Sequence, residues 1–276
     1  MTSNLLEISP RPASLSPSRA ADFKTCPLLY RLRTIDRIPE PPSTAATRGT
    51  LVHTVLERLF DVPAGARSID HARTLIAPAW ESLQAENSEL TSLFAHEDEL
   101  AQWLVSAGEL VEGYFTLEEP GRIEPAERET LVEVKLDSGL ILRGFVDRLD
   151  IAPNGDIRVV DYKTGKSPSP DFEAKALFQL KFYALVLWRT RGVVPRMLRL
   201  MYLADRSILD YPPTESELRR FERTLDALWD AISRCISQQS FPARRNSLCS
   251  WCTYQSLCPE FGGQTPEYPA EQEPNR

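Results

Sequence analysis

Asp147, Asp161 and Lys163 are the residues of this chain best placed by type and spacing to do chemistry. Asp147 closes the apolar run GFVD, and Asp161 and Lys163 close VVDYK. Side chains alternate along a strand, so Asp161 and Lys163 project from one face. A hairpin joining the two runs sets the carboxylates side by side. Such a pair binds Mg²⁺ or Mn²⁺ through hard oxygens. The cation acidifies a water and offsets charge on a phosphate. Lys163 then positions the nucleophilic water and neutralises developing negative charge. Exposed strand-end charges are the competing reading, and the spacing alone leaves both open. Gly165 and Lys166 follow in a turn that a backbone could approach, although structure alone could also demand the glycine. His53 and Glu57 are four apart, as are Gln179 and Tyr183, so each pair shares a helix face. A lone histidine is commonly structural, and a Gln and Tyr pair commonly interfacial. Their joint occurrence around the carboxylates favours a site.

The cysteines form a second constellation. Of five, Cys249, Cys252 and Cys258 lie in CSWCTYQSLCP with the spacing C-x2-C-x5-C. A turn with this spacing aims three thiolates at one centre. Cys26, in TCPLLYRLR, is the candidate fourth ligand because its Cys-Pro pair repeats that of Cys258 and Pro259. Four thiolates close either a tetrahedral zinc or a [4Fe–4S] cluster, and spacing does not separate them. Cys235 sits within an apolar helical pattern and reads as a small buried hydrophobe.

The composition is that of a folded protein, 42% hydrophobic and 26% charged, with a mean hydropathy of -0.30. No run of 18 apolar residues is long enough to span a membrane. The N-terminus lacks the basic and apolar regions of a signal peptide, so a cytoplasmic protein is expected. The formal net charge of -7 excludes a chain that is basic throughout. The charge is uneven: residues 1–60 carry eight Lys/Arg against five Asp/Glu, residues 81–133 two against fourteen, and residues 156–206 ten against five. A solvated acidic helical face accounts for the middle segment. The alternative is that the two basic segments converge on a polyanion while the acidic one faces away.

The elements that position these residues follow from periodicity. Residues 1–14 read as a disordered tail and Ser16-Pro17 as a helix start, with the helix running to about Arg33. IPEPPSTAATRG reads as a loop, with a second helix from about Thr50. Residues 70–84 and 92–118 carry helical periodicity. Then ETLVEVKLDSG and LILRGFVDRLDI alternate as two strands around a turn at Asp137-Ser138-Gly139. A turn at Pro153-Asn154-Gly155-Asp156 leads into a third strand, IRVVDYK. A helix over 171–191, a strand in PRMLRLMYLA and a helix over 214–238 complete an α/β sheet with a helical elaboration. Residues 264–276 read as a disordered tail.

In order along the chain, RGTLVHTVLE, GFVDRLD, VVDYKTGK, QLKFYAL and the four cysteines resemble the RecB-family nucleases of the PD-(D/E)xK superfamily. The likeness is to the stand-alone actinobacterial type and to Cas4-like and AddB-like nucleases, over residues from about 16 to 261. It implies a restriction-endonuclease-like core sheet with an N-terminal helical elaboration and a C-terminal segment stapled by a cluster. The nuclease domain would span 15–263, with a helical insertion at about 61–120. The activity implied is a metal-dependent DNA exonuclease or flap-type nuclease serving repair or recombination. His53, Asp147 and Asp161 would hold Mg²⁺ or Mn²⁺. Lys163 would be catalytic, with Gln179 and Tyr183 beside it. Cys26, Cys249, Cys252 and Cys258 would hold a [4Fe–4S] cluster, with Zn²⁺ the alternative. Val146 stands where the superfamily name has a proline. Arg31, Arg33, Arg37 and Lys166 are candidate phosphate contacts. No GxxxxGK[ST] phosphate loop is present, so the expected substrate is single-stranded DNA, DNA with free ends, or strands opened by a helicase partner. A non-catalytic repair scaffold and a Cas4-like processing nuclease are the other functions weighed; the intact carboxylates and lysine argue against the scaffold.

Overall fold

The computed structural model describes residues 14–168 and 173–269. The chain forms two compact units, one of Met1–Pro39, Glu133–Gly144 and Arg219–Arg276, the other of Glu40–Val132 and Phe145–Leu218. Among the described residues six strands, β1 (Ser14–Leu15), β2 (Glu127–Lys135), β3 (Ile141–Ile151), β4 (Ile157–Lys163), β5 (Met197–Tyr202) and β6 (Ser207–Tyr211), make a mixed sheet in the order β1-β3-β4-β5-β6, with β2 paired to β3. It is the α/β fold expected.

The first unit opens with β1 (Ser14–Leu15), parallel to the start of β3 (Ile141–Ile151). Ser14, expected in a tail, is therefore part of the sheet; residues 1–13 lie outside the described residues. Helix α1 (Pro17–Thr25) is capped by Ser16, whose side chain accepts from the Arg19 amide. The single helix expected to Arg33 is broken at Cys26, where the backbone is extended (φ -159°, ψ 120°). A residue before proline is pushed out of the helical region, and Pro27 then restarts the turn as α2 (Pro27–Tyr30), followed by a π-helical turn, Arg31–Ile35. The break turns the thiol of Cys26 out of a helix and makes it available as a ligand.

In the second unit, α3 (Thr44–Leu59) begins six residues before the expected start. Ser43 caps it by accepting from the Ala46 amide, so the serine and threonine that resemble loop are a helix N-terminus. Helices α4 (Ile69–Glu86) and α5 (Glu97–Leu117) pack with α3 around Leu51, Val55, Trp80, Trp103 and Tyr114. The same core takes in Val160 and Tyr162 of β4 (Ile157–Lys163) and Met201 of β5 (Met197–Tyr202). Gly113 lets α5 approach the sheet: a Cβ there would lie 2.5 Å from the Leu203 carbonyl oxygen.

β3 and β4 are antiparallel and β4 and β5 parallel. A parallel neighbour requires a crossover, supplied by α6 (Glu173–Arg191), whose residues 182–187 are buried on every side. The last expected strand is followed by one more, β6 (Ser207–Tyr211), antiparallel to β5. It is short and half-exposed, so it lacks the apolar alternation that marks the others. In α7 (Glu215–Ser237), Cys235 is half-buried, not the buried hydrophobe expected. Residues 264–269, read as tail, make contacts in the first unit: Thr265 donates to the Leu257 carbonyl and Tyr268 stacks on Phe241.

Candidate active site and cysteine site

The antiparallel register pairs Arg148 with Val160, so Asp147 and Asp161, one step further on, come opposite each other. Asp147 Oδ2 accepts from the Tyr162 amide at 2.7 Å. On β4, Lys163 Nζ lies 2.7 Å from Asp161 Oδ2, as two residues on one strand face should. Helix α6 brings up the other side of the lysine. Gln179 Oε1 accepts from Lys163 Nζ at 2.8 Å, and Gln179 Nε2 donates to the Tyr183 hydroxyl at 2.9 Å. The four-residue spacing of Gln179 and Tyr183 thus fixes the ammonium.

From α3, His53 Nε2 donates to the Tyr162 carbonyl at 2.9 Å. That bond turns the other ring nitrogen toward two carboxylates: Nδ1 is 3.4 Å from Asp147 Oδ2 and 3.7 Å from Glu129 Oε1. A ring oriented through one nitrogen with the other facing carboxylates is arranged as a metal ligand. The residue that sequence reasoning missed is Glu129. Strict alternation groups it with Leu131 and Glu133, which are exposed. Its φ of +42° breaks that alternation, and left-handed backbone at a non-glycine residue is a strain that functional sites tolerate. Glu133, by contrast, pairs with Arg143 and belongs to the first unit.

The electrostatics are those of a site built around positive charge. Asp161 is 1% exposed, and neither carboxylate oxygen accepts a hydrogen bond among the described residues. Lys163 meets it as an ion pair out of hydrogen-bond alignment. A buried carboxylate in this condition is costly unless a cation completes it. Burial and the Asp161 charge push Asp147 up to about 7, against the pull of His53 and the Tyr162 amide. For His53, burial works against the charged form. The Glu129 hydrogen bond and the charges of Asp147, Asp161 and Glu129 outweigh it and hold the ring up at about 9. His53, Glu129 and Asp147 offer ligand atoms within 4.8 Å of one another, a group that could hold a metal ion. The donor set is that of a divalent cation, so the residues fit the metal. His53, Asp147, Asp161 and Lys163 open onto a cavity of about 530 Å³ that also takes in Lys166 and Thr164.

The remaining candidates lie in the first unit. Arg31 is 7% exposed and engaged by Asp36, the Pro266 carbonyl and the ring of Tyr268, which withdraws it from phosphate contact. Arg33 pairs with Asp22 at 2.6 Å, while Arg37 is exposed. The cysteine segment is a chain of short 3-10 turns, Cys249–Trp251, Gln255–Leu257 and Pro259–Phe261. The Arg244 amide donates to Cys26 Sγ and the Asn246 amide to Cys249 Sγ, each at 3.3 Å. Burial raises the Cys252 thiol, and the charges of Cys249, Cys258 and Cys26 raise it further. Cys26, Cys252 and Cys258 pack against one apolar cluster of Leu28, Leu32 and Tyr254, although Cys26 lies 223 positions before Cys249 in sequence. Backbone amides aimed at two of the sulfurs are a feature that a cysteine-ligated metal or cluster would use.

The model of the PD-(D/E)XK nuclease superfamily matches residues 14–259, and the chain belongs to that superfamily. Among curated proteins it is similar to the Gene 69 protein of Mycobacterium phage D29, 24% identical over 274 residues, covering 89% of this chain and 96% of that one. The Gene 69 protein of Mycobacterium phage L5 is 25% identical with the same coverage. Part of the chain, 57% of it, is 26% identical to an ATP-dependent helicase/deoxyribonuclease subunit of Streptococcus mutans, over 14% of that protein. In fold, it is similar to the crystal structure of a protein named "Putative exonuclease" from Eubacterium rectale, with a TM-score of 0.58, 14% identity and 92% of each chain covered. Among the described residues no helix is long and apolar enough to cross a membrane.

Proposed function

We propose that this protein is a metal-dependent DNA exonuclease acting in repair or recombination on single strands or free ends. The observation that carries the reading is Asp161: a buried carboxylate without hydrogen bonds, set beside Asp147 and Lys163 in a member of a nuclease superfamily. His53, Glu129, Asp147 and Asp161 would hold Mg²⁺ or Mn²⁺. When bound, the ion supplies Lewis acidity at the phosphate and lowers the pKa of water. Lys163 keeps its ammonium in the cavity, where it orients the attacking water and offsets charge on the phosphate oxygens. Gln179 holds that ammonium in place, and Tyr183 holds Gln179. Lys166, exposed in the cavity wall, contacts a neighbouring phosphate. The similarity to part of a helicase/deoxyribonuclease subunit supports a helicase as the source of single strands.

Cys26, Cys249, Cys252 and Cys258 hold a [4Fe–4S] cluster in this reading, supported by the amide-to-sulfur bonds and the crowding of thiols. The test joins the two parts. Anaerobically purified protein should contain iron and sulfide and cut end-labelled single strands with Mg²⁺ or Mn²⁺ but not with EDTA. Stoichiometric zinc without iron would replace the cluster reading. Cleavage unaffected by EDTA would overturn the metal-dependent one.

A further inference from the structure

Beside the cavity of the carboxylates lies a second one, of about 480 Å³, with His53 in the wall of both. Its other walls are Gly49, Thr50, Thr54, Glu57, Glu129 and Phe145. Phe145 is 55% exposed, which no packing in the fold explains. It stands two residues before Asp147 on β3, on the same strand face and about 6.6 Å along it. Apart from His53, whose ring nitrogens face the Tyr162 carbonyl and the carboxylates, the polar part of the wall consists of acceptors. Glu57 and Glu129 are carboxylates. The Thr50 hydroxyl donates to the Ala46 carbonyl and the Thr54 hydroxyl to the Thr50 carbonyl, which leaves each with lone pairs alone to offer. Two carboxylates repel a phosphate. An exposed aromatic ring favours a flat, uncharged one that carries hydrogen-bond donors at its edge.

We propose that this cavity is a nucleobase subsite, in which Phe145 stacks on an unpaired base of the strand whose phosphate reaches His53 and Asp147. The inference rests on the nuclease reading and narrows its substrate to unpaired DNA, because a base within a duplex has no face free for Phe145. Stacking is tolerant of sequence. The acceptor wall adds a preference: cytosine, adenine and guanine carry exocyclic amines that can donate to a carboxylate, whereas thymine offers only its ring N3–H.

The experiment measures binding of 5′-labelled oligo-dC, oligo-dT and an abasic strand by fluorescence anisotropy. It uses the Asp161→Ala protein, which leaves the strands intact, with and without Phe145→Ala or Phe145→Trp. Phe145→Ala should weaken oligo-dC binding roughly tenfold, within the range for loss of one stacked base. It should leave the abasic strand and the melting temperature unchanged, and Phe145→Trp should restore affinity. Oligo-dC should bind more tightly than oligo-dT. Equal oligo-dC affinity with and without Phe145→Ala, or an equal loss on the abasic strand, overturns the subsite. If wild-type protein still cuts DNA in that case, the nuclease reading survives alone. Wild-type protein that cuts no DNA, with an Asp161→Ala form that binds none, removes both.

Discussion

At the residue scale, the site gives up stability for function. Asp161 is buried with no hydrogen bond, and its charge helps to raise Asp147. Replacing it with a neutral isostere removes the repulsion. Asp161→Asn should therefore bring Asp147 back toward the ordinary carboxylate range, read in EDTA as a smaller decline of stability between about pH 4 and 7. It should also lose the rise in melting temperature that Mn²⁺ gives the wild type, since a ligand stabilises only the state that binds it. The pH dependence carries the same signature. Asp147, raised to about 7 from the usual 3.8, and His53, raised to about 9 from 6.5, both take up protons on folding. The folded state then binds more protons than the unfolded one, so stability falls as pH rises. The Asp147 contribution falls between about pH 4 and 7, and that of His53 is full below 6.5 and lost through 9. Denaturant melts in EDTA should show the decline in wild type and a smaller one in Asp147→Asn. A wild-type curve parallel to that of the variant would contradict the assignment.

At the element scale, two partnerships position the chemistry. One is α6 against β4: Gln179 holds Lys163, so Gln179→Ala should lower single-turnover cleavage roughly tenfold, about one charge-assisted hydrogen bond, with Mn²⁺ affinity unchanged. Lys163→Met should lower it by about a hundredfold or more, as for loss of a preorganised charge. The other is the buried Arg148, 1% exposed, whose guanidinium donates to the Tyr162 hydroxyl at 2.7 Å and pairs with Glu118 and Asp150. Tyr162 lends its amide to Asp147 and its carbonyl to His53. Arg148→Met strands the buried Glu118 carboxylate, while Asp150 keeps Arg158, and should destabilise by about 3 kcal/mol, read as a fall in the denaturant midpoint. Strands β2 to β5, the turns at Gly139 and Gly155, and the Asp-Asp-Lys triad were legible in the sequence because period-two alternation and turn residues encode them locally. Glu129 was not, since its reach into the site depends on one left-handed residue. Nor was the burial of Arg148, which needs Tyr114 of α5, Glu118 just after that helix and Tyr162 of β4 together. The α3 start was hidden because Ser43 and its neighbours serve a helix cap and a loop equally well.

At the scale of the molecule, the first unit packs Cys26, Cys252 and Cys258 against one apolar cluster, where the proposed iron–sulfur cluster would tie distant parts of the sequence together. A cluster at Cys26 and Cys249 would close a loop of over two hundred residues, worth up to about 5 kcal/mol by the loop-entropy relation for disulfides. Cys26→Ser should lower iron content and make residues near 26 and 249 more sensitive to limited proteolysis. An unchanged cluster absorbance and unchanged proteolysis would remove Cys26 as a ligand. The Cys-x2-Cys-x5-Cys run was legible, while its junction with Cys26 rested on a shared Cys-Pro pair that the helix break at Pro27 now explains.

The central claim is that one carboxylate cluster both binds the cation and supports cleavage. The most direct measurement is single-turnover cleavage of an end-labelled single strand, with Mn²⁺ binding measured on the same samples of wild type and Asp161→Ala. Wild type should bind Mn²⁺ and cut, and Asp161→Ala should lose cleavage and tight Mn²⁺ binding while still binding DNA through its basic residues. Wild-type cleavage rates in Asp161→Ala would contradict it.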